Sequence, residues 1–127
     1  MESIYVEIGP VDVSKAPKEH AMKAKKYLEG SLTSEVDKAK GFTTKTEGEG
    51  YQVRVKLLEL TLDPKGASCK LTGELTRYPK QEMVSTAIMA AAKASGGKPD
   101  TLVRDCVEGA AQGMMDKVIP VMQKQAR

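Results

Sequence analysis

Apolar positions follow one period after another along the chain, and each change of period marks an element. Ile4, Val6 and Ile8 alternate with Tyr5 and Glu7 up to Gly9-Pro10, the period of two expected of a short strand with one buried face. A spacing of three to four follows: Ala21, Ala24, Leu28, Leu32 and Val36 recur along one face of a helix. Ser14 is placed to cap that helix, Pro17 falls in its tolerant first turn, and Gly41 can take the left-handed conformation that ends it. Gly30 costs about 1 kcal/mol relative to Ala inside a helix and leaves room for a break at Gly30-Ser31.

Phe42 to Glu47 predicts a short strand closed by Gly48-Glu49-Gly50. Tyr51, Val53, Val55 and Leu57 then share one parity, whereas Leu58, Leu60 and Leu62 carry the apolar phase on the other. Since a slip of one residue turns a strand over, this pattern predicts a β-bulge at Leu57-Leu58. Asp63-Pro64-Lys65-Gly66 is a turn, after which Ala67, Cys69, Leu71, Gly73 and Leu75 return to one face. Beyond a second turn at Tyr78-Pro79-Lys80-Gln81, Glu82 to Ser95 is ambiguous. Its alanines favour helix, but its length and the tight turn before it favour a third meander strand, the reading adopted here. After Gly96-Gly97-Lys98-Pro99 a last helix opens at Asp100 or Thr101 with Val103, Cys106, Val107, Ala110, Met114, Val118 and Val121 as its buried stripe. Pro120 should kink or stop it.

The elements add up to an α+β fold, an antiparallel sheet of about four or five strands in the order β-α-β-β-β-β-α packed against two helices, with the long C-terminal helix backing the meander. The 127 residues suit a single domain spanning 1–127. No apolar run reaches the roughly 18 residues of a membrane span, so an integral membrane protein is not expected. One Phe, four Tyr and no Trp leave an aliphatic, Met-filled core and few stacking platforms for bases or sugars. Met83, Met89, Met114, Met115 and Met122 read first as core filler and second as an adaptable partner surface. Met1-Glu2-Ser3 leads directly into a strand, which taken literally implies the cytoplasm. A chain whose targeting segment had been replaced by a new methionine would look the same.

Candidate chemistry is sparse. His20, the one histidine, stands on the lysine-rich face of the first helix without a partner at helical spacing, and reads as a solvated side chain. No serine sits in a strand-Gly-helix elbow, and neither Gly48-Glu49-Gly50 nor Gly96-Gly97 completes a phosphate-binding loop. An enzyme is not expected, nor is a cofactor or a metal. Two cysteines are too few for a structural zinc site. Cys69 and Cys106 both fall on inward faces of different elements, and Gly109 and Gly113 on the Cys106 ridge would let helix and sheet approach. The pair is therefore either a disulfide or two inert core thiols. Lys15, Lys18, Lys23, Lys25 and Lys26 could contact an anionic surface, although a plain solvated helix face explains them as well.

The strand Ile4 to Ile8 ending in Gly9-Pro10, the helix closing at Gly41-Phe42, the strand Tyr51 to Leu62, the Asp63-Pro64-Lys65-Gly66 hairpin and the closing helix from Asp100 together resemble small bacterial envelope lipoprotein domains. The similar groups are the lipoprotein activators of penicillin-binding proteins and the curli-secretion lipoproteins. The resemblance covers most of the chain through element order and a strand-Asp-x-x-Gly-strand pattern. It implies a sheet flanked by helices and a non-enzymatic, extracytoplasmic protein, periplasmic or associated with the outer membrane, that binds a protein partner. No lipid-attachment cysteine stands near the start, so a lipid anchor would require an upstream segment, and no functional residue carries over. The competing expectation is a cytosolic domain that sets the lysine face on nucleic acid or another polyanion. A disulfide would favour the first, and salt-dependent nucleic-acid binding the second.

Overall fold

The computed structural model describes residues 3–45 and 47–125. Ile4–Ile8 (β1) leads through Lys18–Lys38 (α1) to Phe42–Thr43 (β2); Gly50–Asp63 (β3), Gly66–Tyr78 (β4) and Met83–Ser95 (β5) then precede Pro99–Gln125 (α2). The five strands form one sheet in the order β2-β1-β3-β4-β5. The meander from β3 to β5 is antiparallel as expected, but β1 runs parallel to both β2 and β3. The sheet is thus mixed where an antiparallel one was expected. The cause is α1, which carries the chain back along the sheet so that β2 and β3 enter in the direction of β1.

The bulge lies where the apolar phase changes. Leu57 pairs with Leu71 and Glu59 with Lys70, so Leu58 has no residue opposite it. The extra residue restores parity, and Leu57 and Leu60 both reach the core. In the following turn Asp63 Oδ1 accepts the Lys65 and Gly66 N–H groups at 2.8 and 3.0 Å, an Asx turn that fixes the hairpin.

Met83–Ser95 is a strand despite its alanines. Ala90 and Ala92 lie beneath α2, where a Cβ added at Gly113 or Gly109 would stand 3.9 and 3.5 Å from their methyl groups. Small side chains on both surfaces bring helix and sheet close, so the alanine content serves packing, and tertiary pairing overrides helix propensity. The packed stripe on α2 is largely as expected: Val103, Cys106, Val107, Ala110, Met114 and Val118 are buried, and Val121 is half-buried.

Three boundaries differ from expectation. Ser14 does not cap α1; its N–H is held by Asp12 Oδ1 at 2.9 Å in a turn, and Pro17 occupies the cap position without a side-chain bond. The proline ring keeps Ala16 out of the helical region, so the helix cannot begin earlier. The strand expected over Phe42 to Glu47 shortens to Phe42–Thr43, while Thr46 lies outside the described residues. Pro120 does not end α2, which continues to Gln125. It stands exposed near the helix end, where the carbonyl it leaves unbonded can face water, while buried Met122 holds the last turn against the core. Gly30 is exposed and α1 passes through it unbroken.

Candidate functional site

Both helices shield one face of the sheet, and strand alternation sends Arg54, Lys70, Glu74 and Met89, all exposed, to the other. β5 is the outer strand at the α2 side, and nothing pairs with its far edge among the described residues. Because α2 rests on Ala90 and Ala92, Met89, Ala91 and Lys93 present their side chains to the open face. The alternation of an antiparallel ladder turns their N–H and C=O groups away from β4. One group on this edge has a partner: Lys117 Nζ on α2 reaches over and donates to the Met89 carbonyl. Among the described residues the outward groups of Ala91 and Lys93 have no partner. Met83 and Met89 are 54% and 45% exposed, so adaptable apolar side chains precede the run of unpaired backbone along the strand.

Beside the turn that precedes β5 lies a cleft of about 700 Å³ lined by Ile4, Gly50, Tyr51, Arg77, Tyr78 and Gln125. Tyr5 packs edge-on against Tyr78 with ring centroids 5.2 Å apart, and the Arg77 guanidinium stands 5.9 Å from the centre of the Tyr51 ring. Arg77 Nη2 also donates to Gln125 Oε1 at 3.3 Å. The Tyr78 hydroxyl donates to Glu47 Oε1 at 2.6 Å, and that bond, with smaller help from burial, pushes its pKa up to about 12. A phenol held protonated is a hydrogen-bond donor rather than a base. Tyrosine and arginine side chains are thus gathered at this end of the sheet, with Tyr51 itself buried.

The sequence candidates distribute unevenly. Cys69 and Cys106 come together in the core as thiols with their Sγ atoms 3.0 Å apart. Their shared bond, and then burial, drives the Cys69 thiol far above its ordinary range; the same bond lowers Cys106 against the opposing effect of burial. The lysines do not form one surface. At 100° per residue Lys18 and Lys25 fall together on α1, whereas Lys23 lies about 160° from Lys25. Lys23 is also bound to Asp100 at 2.9 Å, which lowers the Asp100 carboxyl and raises the Lys23 ammonium. Lys26 is exposed and Lys15 lies before the helix. His20 is half-buried at the first turn, and among the described residues no cluster of side chains suited to a metal includes it. The β5 edge and the tyrosine cleft escaped sequence reasoning. Their only signals were a long stretch almost without charge and the placement of tyrosines at strand ends.

Among the described residues no helix is long and apolar enough to cross a membrane. No family model matches the chain, and no curated protein does. Solved structures do, at the level of the fold. A hypothetical protein from Chlamydia trachomatis superposes with a TM-score of 0.69 at 9% identity, covering 96% of this chain and 99% of that one. A DUF330-family protein from Xanthomonas campestris gives 0.66 at 11% identity over 99% and 89%. A candidate lipoprotein from Caulobacter crescentus gives 0.55 at 13% identity over 95% and 90%. The envelope-lipoprotein resemblance read from element order is thus present as a shared fold.

Proposed function

We propose that this chain is a non-enzymatic interaction module of the bacterial cell envelope, and that it binds a protein partner by taking an extended segment of that partner onto the far edge of β5. The observation that carries the reading is the open run of backbone donors and acceptors at Ala91 and Lys93, preceded along the same strand by exposed Met83 and Met89. Strand addition of this kind draws affinity from main-chain hydrogen bonds and specificity from alternate side chains. The Arg77 and Tyr78 surface extends the same contact at the start of the strand. The fold shared with a candidate lipoprotein supports the envelope setting.

A photo-crosslinking side chain at Met89 in the native cell tests the reading. It should give one discrete adduct in the envelope fraction, and a probe at Ser34 on exposed α1 surface should give none. The adduct should disappear when Ala91→Pro is added, because proline removes an outward N–H while leaving the ladder to β4 intact. Ala91→Lys, which places a charge on the edge without changing the backbone, should weaken it too. An adduct indifferent to both substitutions would overturn the edge as the site. Recovery of the protein in the cytosolic fraction would overturn the envelope setting.

A further inference from the structure

Cys69 lies on the core face of β4 and Cys106 on the sheet-facing stripe of α2, and both are closed to solvent at 1% and 0% exposure. Their sulfurs are 3.0 Å apart across the strand-helix interface, and each is also within reach of a backbone carbonyl: Cys69 Sγ of Cys106 O at 3.2 Å, Cys106 Sγ of Ala92 O at 3.3 Å. Among the described residues no side-chain carboxylate, ammonium or imidazole is bonded to either sulfur. The approach that brings them together is built by the glycines of α2 against the alanines of β5, so it belongs to the packing of the whole helix and not to one rotamer. From 3.0 Å the sulfurs need only about 1 Å of movement to reach the bonding distance of about 2.05 Å.

We infer that Cys69 and Cys106 are a structural cross-link site, oxidised while the chain folds and shielded once α2 has docked. The two S–H bonds break and one Sγ–Sγ bond forms. An incoming oxidant of the thiol–disulfide exchange class takes up the two electrons as its own disulfide breaks, and the two protons end on the two thiols it becomes. The exchange runs through a mixed disulfide that the second cysteine resolves, which requires one thiolate to be reachable. In the folded molecule neither is, so the oxidant must meet the chain before the α2–sheet interface closes. The finished bond is then out of reach of reductants by the same geometry. The cross-link ties α2 to the centre of the meander, closing a loop with a sequence separation of 37 residues. The inference rests on the envelope reading only for where the oxidant is met.

Refolding the full chain in a glutathione redox buffer tests the site apart from the compartment. Intact mass should fall by two hydrogens, and no thiol should remain alkylatable. Protein folded first in the reduced form and then given the same buffer should oxidise more slowly by about two orders of magnitude or more, as a site reacting only through an opened state does. The oxidised chain should unfold with an equilibrium constant smaller by a factor on the order of several hundred than the reduced one. Cys69→Ser and Cys106→Ser should each abolish the mass change. Refolded chains that keep two thiols would overturn the site, and equal oxidation rates before and after folding would overturn the shielding. Material from the native cell decides the compartment separately. A bond found there agrees with both readings, whereas thiols found there in a chain that cross-links on refolding would overturn the envelope setting and leave the site standing.

Discussion

Met114 and Gly73 show how closely α2 meets the sheet. Met114 is fully buried, and a Cβ added at Gly73 would lie 2.8 Å from its sulfur. The thioether therefore fills the space that the glycine leaves on β4. Met114→Ala should cost about 2–4 kcal/mol by opening a cavity over the strand. Gly73→Ala should cost about 1–3 kcal/mol through overpacking, the lower figure if the flexible Met114 side chain turns aside. Denaturant melts with unchanged slopes would measure both, and losses near zero would mean that α2 does not seat there. On the opposite face Gln52 pairs in register with Thr76. Gln52 Nε2 donates to Glu7 Oε2 at 3.0 Å, while Gln52 Oε1 and Thr76 Oγ1 are buried with no partner among the described residues. Thr76→Val removes an unpaired hydroxyl at constant shape and should stabilise the fold by about 1 kcal/mol. A loss of stability in the same melts would show that the hydroxyl is bonded.

Among elements, the ties that matter join parts distant in sequence. Lys23 on α1 and Asp100 at the start of α2 each hold the other charged. The Asp100 carboxyl is lowered from its ordinary 3.8, so its contribution is present above that value and fades as pH falls through the lowered one. Lys23 is raised from 10.5, so its contribution is present below that value and fades as pH rises through the raised one. The stability difference between the wild type and Lys23→Ala should therefore be small, flat across neutral pH, and vanish at both extremes. A difference that grew in acid would reverse the assignment. Lys117→Ala should leave stability nearly unchanged but release the Met89 carbonyl, lengthening the open edge of β5 and raising the yield of the Met89 adduct. The bulge at Leu58 and the meeting of Cys69 with Cys106 were legible in the sequence because parity on a strand and phase on a helix are carried by the residues themselves. The parallel course of β1 was not, since side-chain alternation is the same for either strand direction. Nor was the role of Lys117, because its partner is a backbone carbonyl 28 residues away. The alanines of β5 left helix and strand both open, although strand was rightly preferred, for a related reason: their purpose lies in Gly109 and Gly113 of another element.

At the scale of the whole molecule, stability should be graded across the sheet. β3 and β4 pair along nearly their full length, β5 continues the ladder, and α2 covers all three from one side. Among the described residues β1 joins β3 through four paired residues, Asp12 adds an isolated bridge to Lys56, and β2 pairs with two residues on the outer edge of β1. Gly50, where β3 begins beside Tyr5, admits no side chain, since a Cβ there would overlap the Tyr5 backbone. The start of the junction thus depends on close backbone approach at that point. Regions joined by fewer pairs open at lower free energy than the global unfolding event. Native-state hydrogen exchange should find the central amides of β3 and β4, such as Leu57 and Leu71, exchanging only with global unfolding and with its full denaturant dependence. Bonded amides of β1 should exchange faster and with a shallower dependence, opening as a unit with β2. The oxidised chain should widen this difference, because the Cys69–Cys106 bond ties α2 to β4 and touches neither β1 nor β2. Equal protection in β1 and β4 would mean that the sheet opens only as a whole, and that its short parallel pairs are as cooperative as the meander.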